Sequence, residues 1–330
     1  MSDWRIDLST EASPSERWRA LPSPAMSNVT GPEGYLADEA LVDAINTAIF
    51  LGLPLLLTGP PGCGKSEVGD FVAWKLGLKK SIRFDVKSTT TARELFYSFD
   101  TVARFHAASE PRGKGESDRI IEPQRFIKFH GLGLAILHAN EPENVADLVP
   151  RDEHPGQRRS VILIDEIDKA PRDVPNDLLV EIDRMQFYIG EMDRTVAAAK
   201  SFRPVVIVTS NSERSLPDPF LRRCVYLEMR FPDKELLRKI IERRVACLSP
   251  SSDLVGDALT VFQYLHDQPL RKKPGTAELL AFVMSVRDLG YQRLRDGDGW
   301  ERVAQLTLLK HAEDQEQAFK RFSWTTMGAR

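Results

Sequence analysis

The run Gly59-Pro60-Pro61-Gly62-Cys63-Gly64-Lys65-Ser66 constrains this chain more than any other stretch. It fits G-x-x-x-x-G-K-[ST], a loop whose backbone amides cradle phosphates. By chance the pattern arises in roughly one chain in a hundred of this length, so its surroundings decide what it means. Pro54-Leu55-Leu56-Leu57-Thr58 stands just before it and reads as a short buried strand. Glu67 to Leu76 follows, with Val68, Phe71, Val72 and Leu76 at helical spacing. A triphosphate needs this arrangement. Glycines tolerate positive φ and let consecutive N–H groups point into one hollow, and a helix N-terminus adds a favourable dipole. Gly59, Pro60, Pro61, Gly62, Cys63, Gly64, Lys65, Ser66 and Glu67 are the candidate nucleotide contacts. Lys65 would reach the β- and γ-phosphates, and Ser66 would place its hydroxyl on Mg2+. The alternative is a Gly-Pro turn with a solvated lysine. Cys63 reads as a small space-filler.

A second motif lies about a hundred residues on, Val161-Ile162-Leu163-Ile164-Asp165-Glu166. Consecutive branched apolar residues mean a strand buried on both faces, as in a parallel sheet. Asp165 at its carboxyl end can orient water on Mg2+. Glu166 projects to the other side of the chain and is the candidate to polarise an attacking water. The alternative is a strand end with two solvated acids. Asp168 and Lys169 read as surface charges or local pairs. A third buried strand, Val205-Val206-Ile207-Val208-Thr209, leads into Ser210-Asn211. Asn211 could hold the lytic water or the γ-phosphate, or it starts a turn.

With these residues the chain resembles an AAA+ ATPase, and more narrowly the MoxR family of the dynein-related, helix-2-insert group. The resemblance runs from about Tyr35 to about Phe282. It is carried by the phosphate loop, Ile164-Asp165-Glu166-Ile167-Asp168-Lys169-Ala170, Thr209-Ser210-Asn211, Gly131-Leu132-Gly133-Leu134-Ala135, and Leu216-Pro217-Asp218-Pro219-Phe220-Leu221-Arg222-Arg223-Cys224. It implies a P-loop α/β core with a five-stranded parallel sheet flanked by helices, plus a small C-terminal all-α lid. It also implies a ring, usually of six identical protomers, with ATP and Mg2+ at their borders. The last segment is similar to a short helix that ends in an arginine presented to a neighbour. Arg223 is the first candidate and Arg222 the second. Both could instead complement a helix dipole. The resemblance further implies a chaperone-like role on a protein client or adaptor, often one with a von Willebrand factor A domain. Tyr35 and Leu36 stand where this superfamily holds adenine, with helix-start packing as the alternative. Related enzymes carry a second-sensor arginine at the start of a lid helix. Here Glu278 falls at that place, so that Lys273 or Arg271 substitutes or the role is absent, with a solvated basic turn before a helix as the alternative reading of the stretch.

Composition narrows the partners. The chain has 330 residues with 45 basic and 48 acidic side chains, a net charge of −3, which argues against a strongly basic nucleic-acid footprint. Competing readings are a motor acting on nucleic acid and an ATP-gated scaffold with little turnover. ATP is preferred to GTP because the N-K-x-D pattern of guanine-specific loops is missing. Three scattered cysteines, Cys63, Cys224 and Cys247, do not make a disulfide framework and fit a reduced setting. Ala48 to Leu57 is too short and broken to span a bilayer. A Ser-Asp-Trp start is unlike a signal peptide. The cytoplasm is expected.

Residues 1–32, rich in Ser, Pro and charge, read as a flexible leader, with Trp4 and Trp18 able to dock on the body. The nucleotide-binding domain is expected over 33–231 and the helical lid over 232–330. Leu41, Ile45 and Ile49 share one face of a first helix, and Ile82 to Val86 reads as a strand. In the connection that follows, residues 87–135, the tract Ser109 to Asp118 is too polar for a core. The MoxR group carries an insert here that faces the ring's axis, so client contact and a tolerated insertion are both open. Leu178, Leu179 and Ile182 fall on one helical face, and Phe187-Tyr188-Ile189 with Thr195-Val196 suggests a hairpin. Leu237, Ile241, Val245 and Leu248 recur at helical spacing. His106, His130, His138 and His154 lack metal-ligand spacing.

Overall fold

The computed structural model describes residues 23–29, 31–78, 80–109, 122–245, 250–320 and 322–324. Trp4, Trp18, most of the leader, the polar tract beyond Ser109, Cys247 and Leu248 lie outside these residues. The chain forms two compact units, one from Ala37 to Arg230 and one from Phe231 onward together with the described residues up to Leu36.

The first unit runs α1 (Glu39–Leu51), β1 (Leu55–Thr58), α2 (Val68–Lys75), β2 (Ile82–Asp85), β3 (Tyr97–Phe99), α3 (Thr101–Ser109), β4 (Ile127–Phe129), α4 (Gly131–His138), β5 (Val161–Asp165), α5 (Val174–Asp177), α6 (Leu179–Arg184), β6 (Gln186–Ile189), β7 (Arg194–Ala197), β8 (Val205–Thr209), α7 (Asp218–Leu221) and β9 (Val225–Glu228). Five strands form one parallel sheet in the order β2-β5-β8-β1-β9. Helix α1 packs on β1 and β9, α2 on β5, and α4 on β2 and β5. This is an AAA+ P-loop fold. The three inner strands are buried at every position, as their unbroken apolar runs require. The two edge strands alternate between half-buried and exposed residues.

Local chemistry sets the helix ends. Asp38 caps α1 by accepting from the Leu41 N–H at 2.8 Å, and Gly52 ends it with φ +68°. Leu41 and Ile45 are buried as expected, but Ala48 rather than Ile49 completes the inner face. Likewise Val68, Phe71 and Val72 are buried in α2, whereas Leu76 lies past its end and is 46% exposed.

The segment between β2 and β5 is not one long loop. Strands β3 and β4 pair antiparallel, with α3 between them, and α3 exposes Val102 and Phe105. Strands β6 and β7 form the expected hairpin, Phe187 opposite Val196. Phe187 stacks on Phe96 at 5.4 Å, and the Tyr97 hydroxyl donates to Glu191 at 2.9 Å, so hairpin and insert are packed as one piece. In α4, a Cβ on Gly133 would lie 2.1 Å from the Phe96 carbonyl oxygen. Only glycine lets the Gly131–Ala135 stretch approach that backbone. Leu178 and Ile182 are buried, but the chain divides there into the short α5 and α6. His138 and His154 are edge-to-face core residues, with the His138 imidazole pulled down to about 4, first by burial and then by Arg158.

The second unit holds α8 (Lys234–Arg244), α9 (Ser252–Asp267), α10 (Thr276–Asp288), α11 (Trp300–Leu308) and α12 (Ala312–Gln317) around its own apolar core. Asp233 and Ser251 cap α8 and α9, accepting from Leu236 and Leu254. Among the described residues no helix is long and apolar enough to cross a membrane.

Candidate functional site

Register brings three strand ends together. Leu57 is level with Thr209, and Ile164 with Val208, so β1, β8 and β5 stop side by side. Ligands in open α/β sheets bind outside such carboxyl ends. The phosphate loop, Asp165-Glu166 and Ser210-Asn211 leave the sheet there.

In the loop, Gly59, Gly62 and Gly64 take φ of +135°, +82° and +92°. Cys63 is buried, as a space-filler would be. Lys65 is only 5% exposed, and its Nζ donates to the carbonyls of Gly59 at 2.8 Å and Pro60 at 2.9 Å. These partners are neutral. A buried ammonium on neutral carbonyls gains from an anion brought beside it.

Asp165 is buried at the centre of a converging set. Its Oδ1 accepts the Ser66 hydroxyl at 2.9 Å and the Thr209 hydroxyl, and its Oδ2 accepts Arg83 Nη2 at 2.6 Å. Ser66 Oγ and Asp165 Oδ1 are hard oxygen donors facing one spot, which suits Mg2+. Among the described residues no group of three or more His, Cys, Asp or Glu could hold a metal. Mg2+ does not need one, since it commonly takes one or two protein oxygens and fills its shell with phosphate and water. Arg83 went unremarked in the sequence. Its signal was weak, a charged residue alternating with apolar ones on an edge strand, and its partner is 82 positions away.

Glu166 has φ +59°. Non-glycine residues in that region are uncommon and cluster at functional sites. Its N–H donates to Thr209 Oγ1 at 2.9 Å, fixing the chain direction as it leaves β5. The carboxylate is then held twice, Oε1 accepting Asn211 Nδ2 at 2.9 Å and Oε2 accepting Lys169 Nζ. That hydrogen bond is the main cause that holds the Lys169 ammonium above its usual range. Asn211 is therefore joined to Glu166 by its side chain and not only placed in a turn.

Asp168 corrects the sequence reading. It is not a surface charge but is 4% exposed, and its oxygens accept the Asn211 N–H at 3.4 Å and the Glu213 N–H at 3.0 Å. It fixes the loop that presents Asn211. Replacing Asp168 by Ala removes two part-buried hydrogen bonds, each contributing about 0.5–1.5 kcal/mol. The expected result is a lowered melting temperature, read by calorimetry. An unchanged melting temperature would show that water takes over both donors.

Arg222 and Arg223 follow α7. Arg223 Nε pairs with Asp183 Oδ2 at 2.9 Å, and Nη1 donates to the Pro219 carbonyl at 3.3 Å. Arg222 is exposed, and no carboxylate among the described residues pairs with it. Tyr35, Leu36 and Lys273 belong to the other unit. Tyr35 closes the short turn Pro32–Gly34 and lies near Arg244, and Leu36 is half-buried. Lys273 is exposed just before α10. Glu278, at the expected second-sensor place, accepts the Gly275 N–H at 3.1 Å and so caps α10.

Residues 54–224 match the model of the AAA domain, dynein-related subfamily. No curated protein matches the chain. Among solved structures it is similar to the RuvB Holliday junction branch migration motor of Thermotoga maritima, at 15% identity over 84% of this chain and 70% of that one, with a TM-score of 0.44. Two mutants of Thermotoga maritima RuvB are similar at 16% identity, covering 81% of this chain and 69% of that one, TM-score 0.47, and at 17%, covering 84% and 71%, TM-score 0.47.

Proposed function

The chain belongs to the dynein-related subfamily of AAA domains, and from that premise we propose that it hydrolyses ATP at the borders between the protomers of a six-membered ring, to remodel or activate a protein partner.

 

The observation that carries this reading is the convergence of Ser66, Asp165, Glu166 and Asn211 at the ends of β1, β5 and β8. Lys65 and the loop amides would bind the triphosphate. Ser66 and Asp165 would hold Mg2+, which when bound neutralises charge between the β- and γ-phosphates. Glu166 would take a proton from the attacking water on Oε1 or Oε2, with Asn211 holding that water or the γ-phosphate. Arg223 or Arg222 of one protomer would meet the γ-phosphate held by its neighbour, where an arginine stabilises developing charge. Arg223 would first have to leave Asp183. Tyr35, Leu36 and Lys273 would add contacts to the adenine and the phosphates, and the unit over 232–330 would act as a lid. A MoxR-type chaperone role, a protein client or a von Willebrand factor A adaptor, and a cytoplasmic location complete the proposal.

Lys65→Ala tests it. A hydrogen bond to a charged group contributes about 1.5–3 kcal/mol, so affinity for ATP should fall by roughly 10- to 150-fold. Calorimetric titration reads this directly. Equal affinity in parent and variant would remove the phosphate loop from the account.

A further inference from the structure

We propose that the cavity lined by Arg172 and Arg214 is a docking site for an acidic peptide of a protein partner, one that carries aliphatic side chains beside its carboxylates. The site goes beyond ATP hydrolysis and needs no nucleotide.

The cavity measures about 390 Å3 and lies between the chain that leaves β5 and the chain that leads into α7. Ligand cavities span about 300–1,000 Å3, so this one takes a few side chains. Neither Glu166 nor Asn211 lines it, which sets it apart from the place expected for the triphosphate. Its lining is mostly apolar, with Ile167 and Ala170 buried and Leu216 half-buried. Pro175 and Pro217 line it too, and the fixed φ of proline stiffens both segments. Asp168 ties the segments together by accepting the Glu213 N–H at 3.0 Å, and Arg214 Nη1 reaches the Ala170 carbonyl at 3.5 Å. A cavity built this way is preformed, and little ordering is lost on binding.

Its charge selects the occupant. Arg172 and Arg214 are exposed on it, and no carboxylate among the described residues pairs with either. Asp168 also lines it, but its oxygens are taken by the Asn211 and Glu213 N–H groups. Two guanidiniums against one acid leave the cavity positive. A guanidinium fork takes a carboxylate through paired hydrogen bonds, and the apolar lining takes methyl groups out of water. Arginine is enriched among the residues that dominate protein interfaces. A nucleic-acid backbone is the poorer match. Its phosphates bring no aliphatic group to the lining, and the chain's net charge of −3 gives no broad basic footing.

The test is fluorescence anisotropy of a labelled short peptide of alternating leucine and aspartate, titrated with the full chain without nucleotide. Saturable binding is expected. The double variant Arg172→Ala, Arg214→Ala should weaken it by roughly 10- to 150-fold, the factor for a lost hydrogen bond to a charged group. Both side chains are exposed, so the variant should fold, and its melting temperature is read alongside. Lys272→Ala removes an exposed cation of the other unit and should leave peptide binding unchanged. Binding should also survive Lys65→Ala, so that failure of the nucleotide site and failure of the peptide site are told apart. A peptide of alternating leucine and lysine should not bind. Equal binding by the double variant, or displacement of the acidic peptide by an oligothymidylate, overturns the proposal. So does loss of the peptide when ATP assembles the protomers, which would assign the cavity to a neighbouring copy.

Discussion

Replacing Glu166 with glutamine is expected to lower ATP turnover by on the order of 10²–10⁴ while nucleotide stays bound, the range a general base contributes. Gln keeps the size of the side chain and an oxygen for the Asn211 amide, which now donates to Glu166 at 2.9 Å. It loses the charge and the ability to take a proton. The phosphate loop, Ser66 and Asp165 are untouched, so binding should survive. The Glu166 side chain is 34% exposed, and a half-exposed pair with Lys169 adds little to folding, so the melting temperature should barely move. Phosphate release and calorimetric titration, run on one preparation, separate the two effects. Hydrolysis at the parent rate would assign the base elsewhere.

Gly59→Ala should be the most damaging small change in the phosphate loop. Its φ is +135°, and a Cβ there would lie 2.2 Å from the Met229 carbonyl oxygen. That carbonyl cannot easily retreat, because the Met229 N–H donates to Thr58 at 2.8 Å and continues the β1–β9 ladder. Positive φ costs a residue with a Cβ about 1–2 kcal/mol, and overpacking adds about 1–3. At roughly 2–4 °C per kcal/mol for a unit of this size, the melting temperature should fall by roughly 5–20 °C. Gly77→Ala is the control. Its φ is +74°, but nothing lies within 4 Å of the added Cβ, so only the backbone term applies. If the two variants melt together, the close approach of Met229 does not constrain the loop.

Lys65, Ser66, Asp165 and Glu166 were legible because their chemistry is written in short runs beside buried strands. So were the inner strands, whose apolar runs have one plain reading in a parallel sheet. The Phe187–Val196 hairpin was visible in its alternation. Strand β9 was not, although its burial alternates just as that of the other edge strand, β2, does. Lys169 makes the local pair that was one of its two readings, but Asp168 stood in plain view and was misjudged. A charged pair after a strand looks solvated until the turn that follows buries one member and folds the other back. Arg223 with Asp183 could not be paired at all, since nothing local links a residue of α6 to one just beyond α7.

The sequence by itself determined that a phosphate-binding loop follows a buried strand and that a carboxylate pair ends another, because residue type and near-neighbour spacing are enough for both. Only the tertiary structure decided which donors reach those carboxylates. Arg83 and Thr209 meet Asp165, and Asn211 and Lys169 meet Glu166, because sheet register and one left-handed residue after β5 set distances that chain order does not contain.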